Sequence, residues 1–122
     1  MTAALHDGRF ARAAATLFRA DAFVFGRHVF LSRRGALEIR AGTEEGRELL
    51  AHELVHVEQY EERGVPRFLL RYFGEYLVAR ASGRSHFDAY RTIGFEREAS
   101  RLAAERRARG DAAPPRAGAK IV

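Results

Sequence analysis

The sequence predicts an α+β domain: a small antiparallel sheet of two to three strands packed on about four helices, with an H-E-x-x-H motif on a central, buried helix. Three observations predict it. Short β-type runs separated by turn residues occupy the first third of the chain. From residue 43 onward, apolar residues recur at helical spacing between helix start and stop signals. A length of 122 residues at 47% hydrophobic content suits one domain with a modest core.

Residues 1–9 are polar and mixed and read as loosely ordered. Residues 10–19 are alanine-rich and predict a short helix with Phe10, Ala14, Leu17 and Phe18 on one side. Asp21 breaks that pattern. Residues 23–25 and 28–31 are β-type runs around a turn at Gly26-Arg27, and 32–35 supply turn chemistry. Residues 36–40 (ALEIR) alternate apolar and polar, as a half-buried strand should. Thr43 suits an N-cap, and Glu44 and Glu45 suit the positive end of the helix behind it, which runs to about residue 63 with Gly64 as its C′ residue. Pro66 fits the first turn of the next helix, 67–81, whose stripe of Phe68, Leu69, Tyr72, Phe73, Tyr76 and Leu77 predicts core. Residues 86–94 read as a loop with a turn of helix, and 95–109 as the last helix. The single domain is thus placed at 1–109. Residues 110–122, rich in Ala, Pro and Gly, read as a disordered tail.

Composition narrows the function. The chain has no cysteine, so it has no disulfide framework, and any metal must take His and carboxylates. No apolar run approaches a membrane span and no ordinary signal peptide is visible, which makes a cytoplasmic protein the expectation. The charge of +5 comes from arginines scattered among glutamates, without the basic stripe and interleaved aromatics of a strand binder, so nucleic acid is not the expected partner.

The chemistry sits in residues 48–60, ELLAHELVHVEQY. His52 and His56 lie four apart, hence on one helical face, where a tetrahedral Zn²⁺ can take both imidazoles. Glu53 can hang beside the metal and take a proton from a water activated there. Leu49, Leu50, Leu54, Val55 and Val57 bury the helix on most sides. The plainer reading is a pair of histidines that are only hydrogen-bonded in the core. A catalytic zinc needs a third protein ligand. His6, His28, His86, Glu75, Asp88, Glu96, Glu98 and Glu105 are candidates, and position favours 95–100 (FEREAS), where Ala99, Ala103 and Ala104 would allow close helix packing.

HELVHVEQY followed about forty residues later by YRTIGFEREAS resembles the gluzincin class of zinc metallopeptidases. More narrowly it resembles small bacterial domains with HELxHVxQ helices and minimal single-domain gluzincins, over roughly residues 22–106. The resemblance implies a zincin-like fold and a third ligand at the start of an E-x-x-x-D or E-x-x-x-N element. Glu96 to Ser100 has that spacing, which makes Glu96 the expected ligand, with Glu98 and then His86 as alternatives. Ser100 stands where the class often has Asp or Asn, so a ligand histidine would take its support from Ser100 Oγ or from a backbone carbonyl. The alternative role for either glutamate is an exposed side chain favoured by the helix dipole.

The implied function is a zinc metallopeptidase, in the first place an endopeptidase. His52, His56 and Glu96 hold Zn²⁺, Glu53 is the base, and Tyr90, ahead of His86 or Tyr76, stabilises the oxyanion. The substrate is a peptide or protein, bound by β-addition to an edge strand at 36–40 or 28–31. The alternative is a zinc-stabilised binding module that fills its fourth metal position with a side chain such as His86 or Glu98.

Overall fold

The computed structural model describes residues 3–17 and 21–110, together with the backbone of residues 120–121. The elements are β1 (Ala4–His6), α1 (Arg9–Leu17), β2 (Ala22–Phe25), β3 (His28–Leu31), α2 (Arg33–Ala41), α3 (Glu44–Arg63), α4 (Val65–Ala81), α5 (His86–Arg91), α6 (Gly94–Ala108) and β4 (Lys120–Ile121). The class is α+β. The sheet order is β2-β3-β1-β4.

The sheet is mixed rather than purely antiparallel. β2 and β3 form the antiparallel hairpin, with Phe23 opposite Phe30 and Val24 opposite Val29. β1 then joins β3 in parallel, with Leu5 opposite Val29, and β4 joins β1 in parallel. Residues 4–6 therefore form a strand where loose order was expected. Leu5 is buried, and its partner strand lies more than twenty residues away, a pairing that three residues cannot announce locally. The expected tail, 110–122, falls mostly outside the described residues.

The segment 36–40 is helix, not strand. Ser32 caps α2 by accepting from Gly35 N at 3.0 Å, and Gly42 closes it at φ 68°. Ala36 is buried and Ile39 packs against the core while Leu37 is 58% exposed, the three-residue spacing of a helix rather than the two-residue spacing of a pleat. In α1 the buried stripe is Ala11 and Ala15. Phe10 points outward and meets the Phe30 ring edge-on. Residues 18 and 19 of the expected helix lie outside the described residues. The expected loop at 86–94 contains the short helix α5, capped by Ser85 accepting from Asp88 N.

The caps of α3 are those expected: Thr43 Oγ1 accepts from Gly46 N, and Gly64 follows at φ 82°. Gly46 has a second role. A Cβ there would lie 2.0 Å from Glu38 O, so glycine lets the start of α3 press against the end of α2. The inner face of the sheet (Leu5, Ala22, Val24, Val29, Leu31) packs on Leu50, Val57 and Tyr60 of α3. Phe68 of α4 stacks between Tyr60 and Phe95 of α6, with centroids 3.8 and 4.6 Å away. Ala99 and Ala103 are buried against α3, as their small size foretold, whereas Ala104 faces solvent. α3 is thus covered by the sheet, α2, α4 and α6 together.

β2 is one edge strand of the sheet, β4 the other. Asp21 O accepts from Ser32 N, so by alternation Ala22 and Val24 turn their backbone groups away from β3. Tyr60 donates to Val24 O at 3.0 Å on that outer side. The edge strands expected at 36–40 and 28–31 are a helix and an interior strand.

Candidate metal centre

His52 and His56 project from one face of α3, their rings 4.9 Å apart and nearly perpendicular. Glu96, in the first turn of α6, reaches back between them. Its Oε1 lies 2.8 Å from His52 Nε2 and 3.0 Å from His56 Nε2. Two nitrogens and one carboxylate oxygen all fall within 4.8 Å of one another. A tetrahedral ion with bonds of about 2.0–2.1 Å would spread such atoms to about 3.3 Å, so each His–Glu96 separation needs only a few tenths of an ångström of adjustment to fit one. Among the described residues, this group could hold a metal ion. Glu98 and His86 are not part of it.

The surrounding bonds set the ring tautomers. Gln59 Nε2 faces two acceptors, Phe95 O at 3.1 Å and Glu98 Oε1 at 2.9 Å. Its Oε1 must therefore be the atom 2.8 Å from His56 Nδ1, and it accepts the Nδ1 hydrogen. His56 Nε2 is thereby the nitrogen offered to a metal. Without one, Nε2 donates to Glu96, so both ring nitrogens carry hydrogen and the ring is a cation. Burial opposes that charge, but the Glu96 carboxylate prevails and raises the His56 pKa to about 9. Burial likewise opposes the Glu96 charge, and the two imidazoles prevail, holding the carboxyl well below its ordinary range. Ser100 Oγ lies 3.4 Å from His52 Nδ1, the supporting position its spacing suggested.

The other oxygen of Glu96 is also engaged. Tyr72 donates to Oε2 at 2.6 Å, and Tyr90 lies near enough to Glu96 to feel its charge. Burial, followed by the Glu96 charge, pushes both phenols far up, so both remain O–H donors. Glu53 is 5% exposed, and burial raises its carboxyl against the pull of the two histidines.

A cleft of about 430 Å³ opens onto this group. Glu53, His56, Tyr72, Tyr90 and Glu96 line one part, and β2 forms a wall through Ala22, Phe23 and Val24. Tyr76 and His86 line it too, bonded to each other at 2.7 Å rather than to the metal group. Sequence reasoning missed Gln59 and Tyr72. Gln59 stood one turn beyond His56, on the same helix face, which was the available signal. Tyr72 stood in an aromatic stripe with nothing to separate it from core.

The eCIS core domain family model matches residues 2–64, that is 63 of the 122 residues. The chain belongs to the eCIS core domain family. The eCIS core match spans β1 to α3 and contains His52, Glu53, His56 and Gln59, while Tyr72, Tyr90 and Glu96 lie beyond it. No curated protein and no solved structure matches the chain. Among the described residues no helix is long and apolar enough to cross a membrane.

Proposed function

We propose that this eCIS core domain is a zinc-dependent hydrolase of peptide bonds, a gluzincin-like metallopeptidase. One observation carries the reading: His52, His56 and Glu96 converge where a cleft opens, with Glu53 on the same wall. An ion held by two imidazoles and one carboxylate, with no sulfur ligand, has the donor set of a catalytic zinc site. When bound, Zn²⁺ would polarise the scissile carbonyl and acidify water.

The chain's own residues supply the rest. Glu53 accepts the proton of the attacking water and passes it to the leaving amine, a role suited to a carboxyl whose pKa burial has raised. Tyr72 holds Glu96 Oε2, so Glu96 offers the single oxygen Oε1 and leaves room for substrate. Tyr90, a permanent donor beside Glu96, turns its O–H to the developing oxyanion. Gln59 and Ser100 hold the two imidazoles in register. An extended peptide lies along β2, using the outward backbone groups of Ala22 and the Val24 N–H.

The rival reading is a zinc-stabilised binding module whose fourth position is filled by a side chain. His86 is bonded to Tyr76 and Glu98 to Gln59, which speaks against either one as the plug. The test is metal content by mass spectrometry, followed by hydrolysis of a quenched peptide library with and without chelator. Stoichiometric zinc and chelator-sensitive cleavage that Glu53→Gln abolishes are expected. Cleavage by Glu53→Gln at the wild-type rate would refute the mechanism, and zinc without any cleavage would favour the binding module.

A further inference from the structure

α4 sends every fourth residue into the cleft: Tyr72, Tyr76 and Arg80. At 1.5 Å per residue these Cα atoms lie about 6 Å apart along the helix axis, so Arg80 stands about 12 Å from Tyr72. Tyr72 marks the metal end because its hydroxyl holds Glu96. The far end holds Arg80, Tyr76 and His86.

These three residues differ in charge from the rest of the wall. The cleft's carboxylates, Glu53 and Glu96, sit at the metal end, and Arg80 is the one Lys or Arg among its lining residues. Among the described residues Arg80 has no carboxylate partner. Its bond runs from Nη1 to Arg84 O at 3.0 Å, which leaves the other face of the guanidinium for a ligand. Tyr76 Oη and His86 Nδ1 lie 2.7 Å apart, and in the tautomer where the hydroxyl donates, His86 Nε2 carries an N–H. The cleft lining also includes the apolar side chains of Phe23, Leu69 and Phe73.

We infer that Arg80, with His86 and Tyr76, forms an anion subsite at the end of the cleft remote from His52, His56 and Glu96, and that the peptide it accepts places a carboxylate there. The inference rests on the cleft being a peptide site, as proposed above. An extended chain covers about 3.3 Å per residue, so 12 Å corresponds to about three or four residues between the scissile bond and the acidic group. The carboxylate is that of a Glu or Asp side chain or of the peptide's own C-terminus.

Binding measured by fluorescence anisotropy on the zinc-loaded full chain tests this independently of turnover. The probes are labelled ten-residue peptides with a central Phe, carrying Glu or Gln at successive positions, each made with a free and an amidated C-terminus. A Glu-for-Gln preference of about tenfold at one position is expected, since a charged hydrogen bond is at stake. A preference that follows the free terminus instead assigns the site to C-terminal carboxylates. Arg80→Ala should erase the preference and Arg80→Lys should keep part of it. Arg84→Ala removes the same charge one turn away and should leave it intact. Equal affinity for every pair, or equal losses in Arg80→Ala and Arg84→Ala, overturns the subsite. Charge-selective binding without cleavage would sink the hydrolase and leave the subsite standing. Cleavage without charge preference would do the reverse.

Discussion

Replacing Gln59 with Leu conserves volume and removes a whole set of partners. Gln59 is 2% exposed and makes three bonds, at 2.8, 3.1 and 2.9 Å. Glu98, closer to solvent, can recover its bond from water. The His56 Nδ1–H and the Phe95 carbonyl cannot, because both are buried. Each orphaned buried group costs about 1–3 kcal/mol, so the metal-free protein should lose about 2–6 kcal/mol. The same change frees the His56 ring to rotate, and loss of such a ligand-orienting bond lowers metal affinity about 10–100-fold. Urea denaturation with chelator present reads the first effect, and competition against a chromophoric chelator reads the second. A Gln59→Leu protein within about 0.5 kcal/mol of wild type, with unchanged affinity, would refute the network, since that is the range of ordinary surface substitutions.

Metal uptake by the metal-free protein should release a proton from His56 Nε2, and affinity should rise about tenfold per pH unit up to about pH 9, read by calorimetry in two buffers of different ionisation enthalpy. Stability of the metal-free fold should run the opposite way. The His56 pKa is raised from 6.5 to about 9, so its contribution is complete below pH 6.5 and lost as pH rises through about 9. Glu96 is shifted down, so its contribution holds above the ordinary 4.5 and fades only in stronger acid, as urea midpoints against pH should show. Zinc at a thousandfold excess over its Kd should stabilise wild type by about 4 kcal/mol, and Glu96→Gln should lose most of that gain in thermal melts. Gly46→Ala should destabilise by about 1–3 kcal/mol in denaturant titration despite its better helix propensity, because its Cβ meets Glu38 O.

What was legible in the sequence was mostly local. Thr43, the Glu44-Glu45 pair, the four-residue histidine spacing and Gly64 all act within one or two turns of α3, and each behaves as its chemistry dictates. ALEIR misled because five residues satisfy a two-residue and a 3.6-residue period equally well. The Ser32 cap, misread as a turn, was the deciding signal. The spacing of Glu96 to Ser100 favoured Glu96 through the resemblance but left Glu98 open. Packing separates them, sending one carboxylate to the histidines and the other to Gln59. Tyr72 was hidden because its role exists only once α4 crosses the start of α6.

The interior also shows what the fold retains at the expense of stability. Glu53, His56, Gln59 and Glu96 are each 5% exposed or less, in a domain whose core is small. Three of them form a bonded network. Glu53 differs: burial is the largest influence on it and raises its pKa, so ionised Glu53 costs stability at every pH above its unfolded value of 4.5. A core selected for stability alone would hold a neutral or apolar side chain there. Glu53→Gln keeps the shape and removes the charge. It should therefore be more stable than wild type at neutral pH, with the advantage shrinking toward pH 4.5 as the carboxyl regains its proton. Thermal melts of both proteins across that range measure it. A Glu53→Gln protein no more stable than wild type at pH 7 would mean that the buried carboxylate is compensated in place, and that its position reflects packing rather than a function that strains the fold.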